Sequence, residues 1–148
     1  MAIAIFTTWT TYGTWMQGDE RGWFKSIHGV QEADSFWQFE TWLTMTEAAV
    51  TLNSVQRRTV EKTITDHCVI RGWQLHAVNC RSNHVHVVVT APACTVGTPR
   101  IQFKAWCTRR LKASELTLRK NWWTERGWDV YVDDDDSLAR VIEYTCNQ

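Results

Sequence analysis

The sequence lacks several features that would each point to a particular class of protein. No apolar run approaches the ~20 residues that a membrane-spanning helix needs, so we expect no membrane insertion. No two of the five cysteines stand in a Cys-x-x-Cys spacing, which argues against a zinc ribbon, and their odd number argues against a closed disulfide framework. None of the seven glycines belongs to a G-x-x-x-x-G-K motif, so the sequence offers no nucleotide-binding loop of that type.

The sequence also lacks a net charge, with 16 basic and 16 acidic residues, so composition alone gives no sign of a nucleic-acid partner. The charges are unevenly placed, however. Positions 100–120 hold seven basic residues against one acid, Glu115, whereas acids cluster at 133–136. Such a basic stretch is typical either of a phosphate-binding surface or of an ordinary solvated helix face, and charge alone favours neither.

Length and composition indicate one folded unit. A chain of 148 residues, 44% apolar and 22% charged, is typical of a single soluble domain, so we treat 1–148 as one domain. The N-terminus lacks the basic segment of a signal peptide, and the cysteines are most simply interpreted as reduced thiols. Both points favour a cytoplasmic protein.

Local patterns predict an alternation of strands and helices. Asn53 and Gln56 have the spacing of a capping box at the start of one helix, and Gly72 is suited to end it in a left-handed conformation. We expect strands at 3–15, 47–52, 73–79, 84–90 and 128–132, and helices at 54–71, 100–116 and 138–148. This order predicts an α+β fold, in which an antiparallel sheet has helices packed on one face.

The most informative stretch is the predicted strand that opens with Asn83-His84-Val85-His86. Side chains alternate along a strand, so His84 and His86 point to the same face, about 6.6 Å apart. Two imidazoles at that spacing can share a metal ion, and a buried polar group without a partner would otherwise cost ~1–3 kcal/mol. The alternative is a pair of hydrogen-bonded histidines on a wet face, because His-x-His is a short motif with many chance matches.

A second pair of polar residues lies near the C-terminus. Tyr144 and Gln148 are four residues apart on the predicted last helix and therefore share one face, about 6 Å apart. If this helix crosses the sheet, the Gln148 amide oxygen could join the histidines on one metal ion, with the Tyr144 hydroxyl one turn away. Alone this spacing is weak, because a tyrosine at helical spacing is usually a core residue.

The two patterns together resemble the HUH endonucleases with one catalytic tyrosine, which include the IS200-like transposases and their REP-associated relatives. The histidine–hydrophobic–histidine signature of that family corresponds to His84-Val85-His86. Its tyrosine, followed four residues later by an amide side chain, corresponds to Tyr144 and Gln148. The resemblance extends over roughly residues 1–22 and 70–148.

Other positions either strengthen this resemblance or depart from it. Lys104 and the pair Trp122-Trp123 look like the REP-associated branch. Ser82 stands where many relatives have proline, and Thr145 stands where relatives usually have an apolar residue.

The resemblance implies a metal-dependent enzyme that cuts and rejoins single-stranded DNA. Tyr144 would be the nucleophile, and His84, His86 and Gln148 would bind Mg²⁺ or Mn²⁺, ions that suit mixed nitrogen and oxygen ligands at a phosphate. Attack by the phenol would leave a 5′-phosphotyrosine that keeps the energy for rejoining. The family also implies a ferredoxin-like, RRM-like palm, a DNA hairpin beside the cleavage site, and a homodimer as one possibility.

The basic stretch supplies the predicted DNA contacts. We expect Lys104, Arg109, Arg110 and Lys112 to hold backbone phosphates of single-stranded DNA. Exposed members of the set of ten tryptophans could stack unpaired bases.

Two other functions stay open at this point. An antiparallel sheet backed by helices also describes RRM-like modules that bind single-stranded nucleic acid without catalysis, although histidines are weak stacking platforms. A metal-dependent hydrolase that activates water would instead need carboxylates beside the histidines. On the predicted last helix, Glu143 is adjacent to Tyr144 but points away from the face that carries Tyr144.

Overall fold

A computed structural model describes residues 2–14, 23–24, 30–31, 47–115 and 119–148. The strands in these ranges are β1 (Ala4–Thr10), β2 (Trp23–Phe24), β3 (Val30–Gln31), β4 (Gln74–Cys80), β5 (His84–Thr90) and β6 (Trp128–Val132). The helices are α1 (Ser54–Arg71), α2 (Thr98–Glu115) and α3 (Asp135–Cys146). Within the described ranges, no helix has both the length and the apolar character needed to cross a membrane.

Four of the strands form one antiparallel sheet in the order β4-β5-β1-β6, and β2 pairs with β3 separately. The connections β1-α1-β4 and β5-α2-β6 are two interlocked crossovers, each of which skips one strand of the sheet. This is the split βαβ arrangement of ferredoxin-like folds. The predicted α+β class with an antiparallel palm is therefore confirmed.

The first helix has the ends that its sequence predicts. The Asn53 side chain accepts a hydrogen bond from the Gln56 backbone N–H, and the Gln56 side chain accepts one from the Asn53 backbone N–H, both at 2.8 Å. These two bonds satisfy N–H groups that a helix start leaves without partners. Gly72 ends the helix at φ 71°, a left-handed conformation that glycine adopts without steric cost.

One face of the sheet is covered by α1 and α2 and forms the larger part of the core. Val85, Val87 and Val89 of β5 point to this face and have no exposed surface. They pack with buried side chains of both helices, which include Val60, Ile64, Phe103, Cys107 and Leu111.

The opposite face carries α3. Phe6 and Val88 point to this face and form a second buried cluster with other apolar side chains of the sheet. Leu138, Val141 and Ile142 of α3 pack against that cluster. The prediction that helices pack on one face is thus right for α1 and α2 and needs correction for α3, because its apolar stripe meets the even-numbered side chains of β1 and β5.

A predicted strand at 47–52 was wrong. The backbone there bonds two different segments of chain, with the Val50 N–H donating to the Tyr12 carbonyl at 2.8 Å and the Leu52 N–H donating to the Ser82 carbonyl at 2.7 Å. Both Val50 and Leu52 are buried. The alternation of apolar residues therefore reflects burial of an irregular segment rather than a ladder with one neighbouring strand.

Four other element ends differ from the predicted ones by two or more residues. β1 ends at Thr10 instead of position 15, and α2 begins at Thr98. α3 begins earlier than position 138, because the Asp134 side chain accepts a hydrogen bond from the Ser137 N–H at 2.7 Å and caps the helix. The helix also ends earlier, at Cys146, so that Gln148 lies beyond it.

Strand β4 contains an irregularity at His76. Leu75 pairs with Val89, but Ala77 pairs with Val88, so one extra residue stands in β4 between these two pairs. This is the pattern of a β-bulge. The His76 Nε2 lies 2.7 Å from the Thr90 hydroxyl, which itself donates to the Ile3 carbonyl, so the imidazole N–H donates to Thr90.

The capping box of α1 generates a stability prediction. Asn53→Ala should lower the free energy of unfolding by about 1 kcal/mol, because the Gln56 N–H loses its side-chain acceptor. Urea denaturation followed by circular dichroism measures this change. Val55→Ala, which alters an exposed residue of the same helix turn without touching the cap, should have a clearly smaller effect, and equal losses in the two variants would show that the cap contributes nothing specific.

Candidate active site

The two histidines of β5 lie side by side on the face of the sheet that carries α3. The ring centroids of His84 and His86 are 4.9 Å apart and their planes are inclined by 75°. The register places Thr10 opposite His84 and Thr8 opposite His86 on β1. The alternation of β5 thus separates the imidazoles from the valines that pack in the main core.

His86 is held in a buried and neutral state. Its side chain stacks on Phe6 with centroids 5.9 Å apart and planes inclined by 1°, and only 7% of the residue is exposed. Burial, with a smaller contribution from the charge of His84, lowers the pKa of His86 to about 4. The Nδ1 atom of His86 has no hydrogen-bond partner among the described residues. A neutral ring with an uncommitted nitrogen is suited to bind a metal ion.

His84 is oriented by its neighbour Asn83. The His84 Nδ1 donates to the Asn83 Oδ1 at 2.7 Å. In a neutral imidazole this bond places the lone pair on Nε2, which is the arrangement that metal-binding histidines use. The Asn83 backbone carbonyl in turn accepts from the Thr11 N–H at 2.9 Å, so the orienting residue is tied to the end of β1.

The last helix brings Tyr144 to the same cluster. The Tyr144 ring lies 5.6 Å from the His86 ring and 6.1 Å from the Phe6 ring, in edge contact with both. Thr145 is fully buried against the sheet, so the preceding residue stands at the border of the helix's buried stripe. Tyr144 is accordingly 52% exposed. The phenol therefore lies beside the imidazoles and can still be reached from solvent, and one chain supplies all three rings.

Gln148 lies next to Tyr144 but outside the helix. Its amide nitrogen donates to the Tyr144 backbone carbonyl at 2.9 Å. That bond uses the nitrogen and leaves the amide oxygen as the group that could bind a cation. The role of Gln148 as a metal ligand stays a prediction.

The donor set fits a divalent ion in part. Among the described residues, no group of three or more His, Cys, Asp or Glu side chains is arranged to hold a metal ion. A metal at this position would therefore be bound by His84 and His86 and completed by amide oxygen, water or substrate oxygen. Such a mixed and open set differs from a closed structural zinc site and suits Mn²⁺ or Mg²⁺ at a phosphate.

The four basic residues predicted to bind DNA are not part of this cluster, since they lie on α2 behind the sheet. The Lys104 ammonium donates to the Thr124 carbonyl at 2.6 Å and to the Glu125 carbonyl at 3.3 Å. Arg110 forms an ion pair with Asp66 at 2.9 Å. The Arg109 guanidinium lies 4.8 Å from the centroid of the Trp106 ring, and Lys112 is half-buried in the last turn. Their contact with DNA stays a prediction.

Sequence reasoning missed three residues that surround the cluster. Phe6 supports His86, Asn83 orients His84, and Asn79 contacts the end of α3 through its side-chain amide. A signal existed for Asn83, because it directly precedes the first histidine. Phe6 and Asn79 become neighbours of the site only through the pairing of β1 and β4 with β5, which local patterns do not reveal.

Comparison with known proteins gives one family. A family model described as "Transposase IS200 like" matches residues 39–148, which is most of the chain. No curated protein matches this chain.

Two solved structures share the fold. A REP-associated tyrosine transposase bound to a REP hairpin superposes with a TM-score of 0.58 at 14% identity, and the match covers 98% of this chain and 66% of that one. A candidate transposase from Deinococcus radiodurans R1 superposes with a TM-score of 0.57 at 15% identity, covering 100% of this chain and 92% of that one. At these identities the likeness is one of fold.

The buried hydroxyl of Thr145 generates a stability prediction. This hydroxyl has no hydrogen-bond partner among the described residues, although Thr145 is fully buried. Thr145→Val keeps the shape and removes the unsatisfied group, so it should raise the free energy of unfolding by about 1 kcal/mol. Urea denaturation provides the measurement. Thr63→Val is the matched control, because Thr63 is also buried but its hydroxyl donates to the Thr59 carbonyl, and the control should gain nothing.

The environment of Lys104 generates a pH prediction. Burial, reinforced by the charge of Arg100, lowers the pKa of Lys104 from 10.5 to about 8 in the folded protein. Between pH 8 and 10.5 the unfolded chain therefore binds the proton that the folded one has lost, and stability rises with pH. The free energy of unfolding of wild type relative to Lys104→Met should increase as pH rises from 7.5 to 10. The prediction is wrong if this difference in the free energy of unfolding does not change with pH. It is also wrong if Lys62→Met, at a side chain that is 74% exposed, shows the same trend.

Proposed function

The chain belongs to the IS200-like transposase family, and from this membership and its site we propose that it is a metal-dependent, single-stranded DNA endonuclease and strand transferase. Cleavage proceeds by attack of Tyr144 on a phosphodiester. The product is a 5′-phosphotyrosine bond, next to a DNA hairpin.

The observation that carries this proposal is the convergence of two imidazoles and one phenol. His84 and His86 project from the same side of β5, and the Tyr144 ring stands 5.6 Å from the His86 ring. A nucleophile and a pair of metal-binding nitrogens are the groups that tyrosine-dependent phosphoryl transfer requires. Because one chain supplies all of them, the proposed reaction needs no second subunit to complete the site.

The chain's own residues would carry the reaction as follows. The Tyr144 oxygen attacks the scissile phosphorus and forms an O–P bond, while the bond from phosphorus to the 3′ oxygen breaks. The phenolic proton passes to solvent, to which Tyr144 is open, and the leaving 3′ oxygen takes up a proton as a 3′-hydroxyl. Attack of a 3′-hydroxyl on the phosphotyrosine reverses these steps and rejoins DNA without a nucleotide cofactor.

His84 and His86 would hold the metal, with Gln148 as a candidate third ligand. A divalent ion bound there would polarise a non-bridging oxygen of the scissile phosphate and favour attack. The low pKa of His86 keeps this ring neutral at physiological pH, so protons do not compete for its nitrogen. Asn83 holds the second ring in the tautomer that presents Nε2.

Access to the tyrosine supports single-stranded DNA as the substrate. Tyr144 lies on α3, which packs against the sheet, and its exposed side chain must be reached by a DNA backbone from solvent. A single strand can bend into such a position more readily than a duplex. The REP-associated transposase of the same fold is bound to a REP hairpin, which supports a hairpin as the second element of the substrate. Arg109 and Lys112 on α2 are candidates to hold DNA that extends behind the sheet.

The site gives less support to the two other functions. A hydrolase that activates water would be expected to place a carboxylate with the histidines, and none forms such a group with them in the described part of the chain. A purely binding module would have no use for a buried imidazole with an uncommitted nitrogen. Both observations come from the site itself, and both favour the tyrosine mechanism.

Replacing the nucleophile tests the proposal. A pool of hairpin-containing single strands with randomised flanks and a 3′ fluorophore is incubated with the protein and Mn²⁺, then resolved on a denaturing gel. Wild type should retain the label covalently, because the 5′ phosphate of the 3′ fragment is bonded to Tyr144. Tyr144→Phe should abolish the adduct, because it lacks the attacking oxygen, and should still bind the same pool in a gel-shift assay.

Controls separate this result from loss of folding and from hydrolysis. Tyr131→Phe alters another exposed tyrosine, on β6, and should form the adduct normally. Chelation by EDTA, or His86→Ala, should also prevent the adduct. The proposal fails if Tyr144→Phe still cleaves the pool, or if a wild-type adduct carries a 5′ label instead of the 3′ label.

A further inference from the structure

Asn79 occupies a special position in the sheet. It stands on β4 directly opposite His86 of β5, so it lies on the face that carries the histidines and α3. Its side chain is half-buried and points to the end of α3. Neither the family's tyrosine pattern nor its histidine pattern includes this residue.

The Asn79 amide joins the sheet to the last turn of α3. Its Nδ2 donates to the Thr145 carbonyl at 2.9 Å and lies 3.5 Å from the Gln148 carbonyl. The final carbonyl groups of a helix have no partner within the helix, and here a side chain of the neighbouring strand supplies one. The Glu143 carbonyl accepts from the Asn147 N–H and the Tyr144 carbonyl accepts from the Gln148 side chain, so the Asn79 amide is the cap that comes from the sheet.

The location of these carbonyls links Asn79 to the active site. The Thr145 carbonyl belongs to the residue directly after Tyr144, and Gln148 is bonded through its side chain to the Tyr144 carbonyl. Asn79 therefore holds the turn of backbone from which both side chains project. The apolar stripe fixes α3 across the sheet, but nonpolar contacts are not directional, whereas the hydrogen bond sets the position along and around the helix axis.

We propose that Asn79 is a positioning residue, which locks the last turn of α3 so that the Tyr144 hydroxyl meets the phosphate held beside His84 and His86. This inference rests on the proposed function for its catalytic consequence, but its structural part stands alone. The amide acts through the backbone of Thr145 and touches no reacting atom. Its loss should misplace the nucleophile while DNA binding, which depends on other surfaces, is kept.

The structural part can be tested without DNA or metal. The chain has three tyrosines, so uniform 3-fluorotyrosine labelling gives three ¹⁹F resonances, and Tyr144→Phe assigns the relevant one. In wild type the rings of His86 and Phe6 shift the Tyr144 signal away from that of free fluorotyrosine. In Asn79→Leu, which keeps the volume and removes the donor, this signal should move toward the free value. The signals of Tyr12 and Tyr131 should stay in place and show that the fold persists.

The catalytic part is tested by kinetics of adduct formation. Asn79→Leu should lower kcat by about 100-fold, as expected for a displacement of about 1 Å at a reacting group. KM for the hairpin DNA should stay near the wild-type value. Asn53→Ala, which removes the α1 cap on the other face, serves as a control for general loss of stability and should change neither kcat nor the Tyr144 signal.

The outcomes distinguish the two proposals. Asn79 is not a positioning residue if a folded Asn79→Leu protein keeps both the Tyr144 resonance and kcat, or if Asn53→Ala reproduces its effects. If the Tyr144 resonance moves in Asn79→Leu but the wild type forms no adduct, Asn79 positions Tyr144 as proposed and the proposed function is wrong. If Asn79→Leu does not fold, Asn79→Asp replaces it, because the carboxylate keeps the shape but cannot donate to the two carbonyls.

Discussion

The alternation of side chains along β5 is the constraint on which the whole site depends. Val85, Val87 and Val89 are fully buried between the sheet and the first two helices, so the strand cannot slip by one residue without exposing them. The same constraint holds His84 and His86 on the opposite face. The core thus provides the rigidity that the two proposed metal ligands need, and the candidate active site is a consequence of packing on the other side of one strand.

His86 shows how this rigidity is used. A buried imidazole whose Nδ1 has no hydrogen-bond partner in the described part of the chain opposes folding, since unsatisfied polar groups cost ~1–3 kcal/mol. Its stack on Phe6 and the edge contact with Tyr144 cover the apolar surface of the ring without a hydrogen bond to either nitrogen. Local departures from good packing are expected at functional sites, where the rest of the fold compensates for them. A position of this kind explains why a polar residue stands in an otherwise apolar strand.

The parts of the fold that sequence predicted well are those governed by local chemistry. The capping box at Asn53 and the left-handed Gly72 bracket α1 as expected, and β5 has its predicted ends because its alternation is strong. The end of α3 was placed too late, because the bond from Asn79 to the helix terminus is a tertiary contact. For the same reason the side of the sheet that α3 covers, and the separation of the basic helix from the histidines, followed only from the assembled sheet.

The extra residue at His76 has a consequence for the site at the far end of the same strand. Before His76, odd-numbered residues of β4 pair with odd-numbered residues of β5. After His76, the odd-numbered Asn79 pairs with the even-numbered His86 instead. In an uninterrupted ladder, Asn79 would pair with Val85 and its side chain would point into the main core. The end of α3 would then lose the hydrogen bond that Asn79 donates to it. Deleting His76 would therefore turn the Asn79 side chain toward the main core, and the end of α3 would lose its hydrogen bond to the sheet.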